Sequence, residues 1–448
     1  MGSESLSENS ALTFNFALLP DGVSEGVRIV FDSDGVITTV TTGVRGPYDG
    51  YFALPGMPNA HSHAFQRALA GYGEQRFGDD SFWSWREAMY RLAAGVGPDD
   101  MFVIARRAFD DMLAAGFTAV GEFHYLHHKP DGSPGPEMGQ AVKAAADESG
   151  IRLALLPVYY ETGGFDEPVH PQQKRFVHDS VDSFLRLMEQ LPASGIALHS
   201  LRAVPYERLD ELINGVTAQL GNCPIHIHVS EQKTEVDSCR KHFGKTPIAL
   251  LDDATELNER WNLVHATHAT ETELETVHSR NACIVLCPLT EAYLGDGIFS
   301  GIRFLQDNGR VAVGSDSNAR IDAAEEVRWL EYGQRLRNQR RAQLSDDRGL
   351  GIPLWSRLAQ AGGHAIGETV GTLETGSFAD VVVLDDKVSP LAGPGNESFV
   401  DAWIVGGDRS NIEAVYIGGK RRVERGHIDG TDANRSEFSE CVTRLLQA

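Results

Sequence analysis

No apolar run in the chain approaches the roughly 20 residues of a bilayer-spanning helix, which excludes an integral helical membrane protein. A basic cluster with interleaved aromatics is also missing, and 63 acidic residues against 40 basic ones leave a net charge of −23. A surface of that sign repels nucleic acid and anionic lipid, so neither is expected as a partner. Met1 to Ser10 lack the basic start and apolar centre of a secretory leader, and the chain reads as cytoplasmic. Cysteine is scarce. Cys223, Cys239, Cys283, Cys287 and Cys441 follow neither zinc-finger nor disulfide-scaffold spacing, and an odd number this dispersed suits reduced thiols engaged in packing.

What remains is a globular composition, 42% hydrophobic and 23% charged, in 448 residues. That exceeds one compact core, so a barrel-type domain of about 250 to 320 residues plus a smaller one is expected. From Leu12 to about Thr42, Phe14, Phe16 and Leu18 alternate with small or polar residues, the period of short strands. Ala379 to Leu384 and Ala414 to Lys420, with its Gly418-Gly419 turn, continue that pattern near the other end. The two ends are expected to pair, giving a small β-sandwich domain of residues 1–54 and 371–448.

Residues 55–370 alternate strand and helix instead, the signature of βα units on a parallel sheet. Eight strand segments are expected: Ala53 to Ala60, Thr118 to Phe123, Arg152 to Tyr159, Gly195 to Ser200, Pro224 to Val229, Asn262 to Thr267, Ala282 to Cys287, and Val311 to Asp316. The clearest helix starts at Asp99 or Asp100 and stops at Gly116. Eight units make an α/β fold of the (β/α)8 barrel type, whose active sites lie at the C-terminal strand ends. Chemically capable residues do gather there: His61, His63, His124, Tyr125, His199, His226, His228, His265 and Asp316.

In a strand, His61 and His63 project to one side and can share an ion. An isolated His-x-His reads equally as two hydrogen-bonded imidazoles lining a polar cleft; the other strand ends favour a metal. Three imidazoles and a carboxylate suit a borderline divalent ion such as zinc with one position open for water. His226 and His228 face the same way, so the strand alone does not decide between them, although His228 lies nearer the C-terminal end. Glu231, just past the strand, can carry a proton to and from bound water, or simply start a helix. Asp316, in a Ser-Asp-Ser turn, faces the barrel mouth or serves as a cap.

Pro58-Asn59-Ala60-His61-Ser62-His63, His228-Val229-Ser230-Glu231, Leu263-Val264-His265 and Gly314-Ser315-Asp316-Ser317 resemble the successive signatures of the amidohydrolase superfamily. More narrowly, Leu54 to Gly71, Ser81-Phe82-Trp83-Ser84-Trp85-Arg86-Glu87-Ala88-Met89-Tyr90 and Glu122-Phe123-His124-Tyr125 resemble its formimidoylglutamate deiminases. The resemblance covers nearly the whole chain. It implies one zinc ion on His61, His63, His228 and Asp316, because Gly195 to Ser200 lacks the bridging lysine of two-metal members. It also implies Glu231 as proton shuttle, His265 as the residue that orients the attacking water, and a homodimer. The implied reaction is hydrolytic deimination of N-formimidoyl-L-glutamate in histidine degradation. Such a dicarboxylate needs cationic forks, and the resemblance assigns Arg86 and Arg202 to its carboxylates, assisted by Tyr125 and His199, with Gln66 near the formimidoyl group. Without the resemblance, either Arg reads as a structural ion pair. Alternative functions are an aminohydrolase of a purine, pyrimidine or triazine ring, and a non-catalytic scaffold of the same fold. Phe82, Trp83 and Trp85 read as wall and packing, His127 and His128 as exposed loop residues, and Arg335 to Arg341 as a solvated helix face.

Overall fold

Eight short buried segments rich in Val, Ile, Leu and Ala form the central sheet, the composition of strands covered on both faces. In the computed structural model, which describes residues 10–72, 82–393, 395, 398–428 and 430–447, they are Met57–Ser62 (β1), Phe117–His124 (β2), Arg152–Tyr159 (β3), Ile196–Leu198 (β4), Ile225–Val229 (β5), Trp261–His265 (β6), Cys283–Leu286 (β7) and Val311–Val313 (β8). All neighbouring pairs from β1 to β8 are parallel. The barrel closes just beyond β8: the His63 amide donates to Asp316 O at 2.9 Å and the Asp316 amide to His61 O at 3.0 Å. Closure thus runs through residues that carry candidate chemistry.

Local signals explain the helices between. Pro98–Ala114 opens with Pro98, Asp99 and Asp100, and the Asp100 carboxylate accepts the Gly97 amide at 3.0 Å. Its exit turns at Gly116, where φ is +89°. Among the described residues no helix is long and apolar enough to cross a membrane.

The chain's two ends build one seven-stranded mixed sheet, in spatial order Lys420–Glu424, Ile412–Ile417, Val381–Leu384, Gly50–Pro55, Ser10–Leu19, Gly22–Phe31 and Ile37–Thr41. It curls until its arms touch: the Ile37 amide donates to Ser377 O and the Ala379 amide to Gly35 O, both at 2.8 Å. The arms enclose a core of Phe14, Val27, Ile29, Phe31, Val381, Val383 and Tyr416. The hairpin turn needs glycine twice, since Gly418 and Gly419 both have positive φ and a Cβ on Gly419 would overlap the Phe31 ring.

The first expected strand, Ala53 to Ala60, is corrected to two. Gly50–Pro55 belongs to the curled sheet and Met57–Ser62 to the barrel, and the Gly56 amide between them donates to Asp380 O at 2.9 Å. Pro55 has no amide to continue a ladder, and a Cβ on Gly56 would overlap Thr118. The last helix, Thr431–Gln447, packs back on Pro98–Ala114, with Cys441 Sγ 3.4 Å from Asp100 Oδ1. All five cysteines are buried and unpaired. The run Arg335 to Arg341 is a solvated helix face only in part: Arg337 is exposed on the helix Ala323–Asn338, Arg335 donates to the buried Glu331 carboxylate at 2.6 Å, and Arg340 and Arg341 are exposed beyond the helix end.

His127 and His128 are a second correction. Both are buried, with His127 Nε2 2.9 Å from Val158 O and His128 Nε2 2.7 Å from Val177 O. They pack around His178 under the loops that follow β2 and β3. The Lys-Pro-Asp-Gly turn that suggested exposure begins only at Lys129.

Candidate active site

β1 sets His61 and His63 on one face, with ring centroids 4.7 Å apart. His63 Nδ1 lies 2.9 Å from Phe123 O, and His228 Nδ1 lies 2.9 Å from His199 O. A carbonyl only accepts, so each Nδ1 carries the proton and each Nε2 an open lone pair. His228 Nε2 sits 3.0 Å from His61 Nε2, while Asp316 Oδ1 is 3.3 Å from His61 Nε2 and 3.2 Å from His63 Nε2. All four donor atoms fall within 4.8 Å of one another in a fully buried cluster. Burial pushes the His61 imidazole down to about 3 and holds His228 well below the usual histidine value. Although burial opposes its ionisation, Asp316 stays well below the carboxylate range through its contacts with His61, His63 and His265. Neutral nitrogens aimed at a common point beside a carboxylate repel unless a cation lies between them, so the set fits a divalent metal. His226 is not part of it: its Nε2 lies 2.7 Å from Ala365 O, deeper in the barrel.

Beside this cluster, Glu231 Oε1 lies 3.9 Å from His265 Nε2, which lies 3.8 Å from Asp316 Oδ2. Burial raises the Glu231 carboxyl above its ordinary value. Burial would lower His265, but Glu231, Glu291 and Asp316 outweigh it and push the imidazole up to about 10. Ser230, His265 and Asp316, ending β5, β6 and β8, all have left-handed φ, at +52°, +68° and +46°. Strained backbone of this kind is held by its surroundings. Here the Glu235 carboxylate accepts the Ser230 and Glu231 amides at 3.2 and 3.0 Å.

Glu235 and two further acids were missed from sequence. Glu291 Oε1 lies 3.3 Å from His265 Nδ1 and accepts the Cys287 amide at 3.0 Å. Glu122 accepts the Ser62 hydroxyl at 2.6 Å and the Ala64 amide at 2.7 Å, gripping β1 on either side of His63, and burial pushes it up to about 7. Glu122 stands in the Glu-Phe-His-Tyr segment, the one signal available; Glu235 and Glu291 are ordinary acids near helix starts.

A cavity opens above these groups, lined by Gln66, Arg86, Tyr125, His199 and Arg202 together with His63, His228, Glu231, His265 and Asp316. Gln66 Nε2 donates to the Tyr125 hydroxyl at 2.7 Å, while its buried Oε1 has no partner among the described residues. The Arg86 guanidinium lies 5.6 Å from the Tyr90 ring centroid. Among the described residues Arg202 Nε–H, buried, meets no acceptor, and the His199 ring packs 4.6 Å from Tyr160. Tyr90, Tyr160 and Phe176 also line it, none of them anticipated as pocket residues. Trp85 lines it as well, whereas Ser81 and the side chains of Phe82 and Trp83 lie outside the described residues.

Residues 52–422 match the amidohydrolase family. The chain belongs to that family. This amidohydrolase is 38% identical to formimidoylglutamate deiminase of Pseudomonas aeruginosa, over 98% of this chain and all of that one. It is 40% identical to an amidohydrolase from Brucella melitensis, whose crystal structure superposes with a TM-score of 0.91 over 97% of this chain and 99% of that chain. At 22% identity and a TM-score of 0.78, an adenosine deaminase from Xanthomonas campestris with bound zinc shares the fold over 98% of both chains. The amidohydrolase is therefore a hydrolase acting on a C–N bond, with a (β/α)8 barrel and a second sheet from its two ends.

Proposed function

We propose that this amidohydrolase deiminates N-formimidoyl-L-glutamate hydrolytically, giving N-formyl-L-glutamate and ammonia in histidine degradation, with zinc as its ion. One observation carries the reading: two guanidinium groups, Arg86 and Arg202, share the cavity with the metal-ligand cluster. A neutral purine or pyrimidine ring has no use for two cations, whereas a dicarboxylate does. The 38% identity to a formimidoylglutamate deiminase supports the same choice.

His61, His63, His228 and Asp316 would hold the zinc, which lowers the pKa of a coordinated water toward neutrality. His265, fixed through Nδ1 by Glu291, orients that water. Glu231 takes its proton, a task suited to a carboxyl raised by burial. Arg86 and Arg202 bind the two carboxylates, Tyr125 and His199 line the same space, and Gln66 Oε1 accepts an N–H of the formimidoyl group. As oxygen bonds to the formimidoyl carbon the C=N π pair passes to nitrogen, which takes the proton from Glu231; Glu231 then relays the remaining hydroxyl proton to the same nitrogen, the C–N bond breaks, and ammonia leaves as the formyl C=O forms. The free thiols suit a cytoplasmic location; a homodimer is part of the proposal and is checked by sedimentation equilibrium. Ammonia release from N-formimidoyl-L-glutamate, with the product identified by mass and guanine, cytosine and adenosine assayed in parallel, tests the reaction. Preference for any of the rings would overturn it.

A further inference from the structure

A second group of donors converges beside the four-ligand cluster. His265, Cys287 and Asp316 are all buried, with ligand atoms within 4.8 Å of one another. Asp316 belongs to both groups and divides its oxygens between them: Oδ1 faces His61 and His63 at 3.3 and 3.2 Å, whereas Oδ2 faces His265 Nε2 at 3.8 Å. Glu291 Oε1 stands 3.3 Å from His265 Nδ1, which anchors that side of the ring and leaves Nε2 toward Asp316. Cys287 follows β7, its amide fixed by the same carboxylate at 3.0 Å. Burial raises its thiol well above the usual value, and the carboxylates of Asp316, Glu291, Glu326 and Glu231 add to the rise. The proposed reaction uses no thiol, so this one is unassigned.

We propose that His265, Cys287 and Asp316 form a second, inhibitory site for a thiophilic divalent cation, with Asp316 bridging it to the four-ligand site. An imidazole nitrogen, a thiolate and a carboxylate oxygen suit zinc, cobalt or cadmium, whereas magnesium and calcium require all-oxygen surroundings. Binding releases the thiol proton and any proton on His265 Nε2. An ion there occupies the lone pair of the imidazole that orients water, so excess metal stops turnover without displacing the first ion. Cation binding stands by itself; only the inhibition rests on the proposed role of His265.

The test uses enzyme loaded with one equivalent of cobalt(II) and titrated with a second. His61, His63, His228 and Asp316 include no sulfur, so a thiolate-to-cobalt charge-transfer band in the near ultraviolet reports Cys287 alone if Cys287→Ser abolishes it. The expected result is no band at one equivalent, a band rising with the second, two ions per chain by metal analysis, and turnover falling in proportion to the second ion. Cys287→Ser should stop at one ion. A band already present at one equivalent, a stoichiometry that stays at one, or a band that persists in Cys287→Ser overturns the proposal. Should that variant fail to fold, the wild-type titration decides: no band with the second equivalent overturns the site, and a band that competing zinc or cadmium removes but magnesium does not supports it. Deiminase failure without loss of the band would strike the proposed reaction and leave the site standing.

Discussion

Arg202→Ala isolates substrate recognition from chemistry. Main-chain bonds hold the loop that carries Arg202: the Ala203 amide donates to Ser200 O at 3.0 Å, and Ala203 O accepts the Glu161 and Thr162 amides at 2.7 and 3.0 Å. Arg202 O also accepts the Thr162 hydroxyl at 3.1 Å. Truncating the side chain therefore removes the guanidinium and leaves the loop. A hydrogen bond to a charged group contributes about 1.5 to 3 kcal/mol, which predicts a KM raised roughly 10- to 150-fold. The turnover number should move only a few-fold, because the guanidinium is assigned to a carboxylate and not to the reacting carbon. Steady-state ammonia release measures both constants, and a cycle with analogues lacking one or other carboxylate tests the pairing. If Arg202 binds the missing group, variant and analogue losses fail to add; additivity with both analogues removes Arg202 from carboxylate recognition. A kcat/KM equal to wild type would refute the reasoning outright, and a loss confined to kcat would relocate Arg202 to the chemical step.

Glu231→Gln keeps the size of the side chain but cannot carry a proton, so kcat should fall about 10²- to 10⁴-fold while metal content is unchanged; full turnover would remove Glu231 from the mechanism. Glu291→Ala frees His265 to change tautomer, and kcat should drop with KM intact while Glu291→Gln recovers part of the loss; equal loss in both variants, or a loss in KM, would count against orientation through His265. Glu122 supplies a pH signature. Its folded value of about 7 lies above the ordinary 4.5, so ionisation costs the folded state. Stability should decline as pH rises from 4.5 through 7, by about 3 kcal/mol if the shift is converted directly. Glu122→Gln should flatten that decline in thermal unfolding of the metal-free protein between pH 5 and 8, and an identical slope in both proteins would dismiss the effect.

The strands were legible wherever burial on both faces made the run continuously apolar. The same property hid the break at Pro55-Gly56, because periodicity reports burial and says nothing about a change of strand partners. The helix Thr431–Gln447 left little signal, being polar along most of its length, with Cys441 and Leu445 among its few buried residues. In the site, His61, His63, His228, His265 and Asp316 could be seen because histidines and an acid at strand ends contrast with the apolar sequence before them. Glu235 and Glu291 could not. An acid in the first turn of a helix looks alike in sequence whether it faces water or an imidazole, and only the tertiary fold places Glu291 against His265. His127 and His128 show the reverse error, a genuine turn at Lys129 extended one step too far toward residues that the barrel covers.

Fold and site compete for the same residues at the mouth of the barrel. Ser230, His265 and Asp316 sit in left-handed backbone that glycine would occupy without strain, at a cost of order 1 to 3 kcal/mol each. At His265 and Asp316 the proposed reaction calls for the side chain that glycine lacks, so the cost must be met by bonds nearby. Asp316 gains its compensation from closure itself, exchanging backbone hydrogen bonds with His61 and His63. Asn59 and Ser315 reinforce the seam: Asn59 Oδ1 accepts the Ser315 amide at 3.0 Å and Asn59 Nδ2 donates to Ser315 Oγ at 2.6 Å. The bonds that close the barrel are therefore the bonds that set Asp316 against the two histidines. Loosening the seam should therefore disturb metal affinity before it disturbs the remaining parallel pairs.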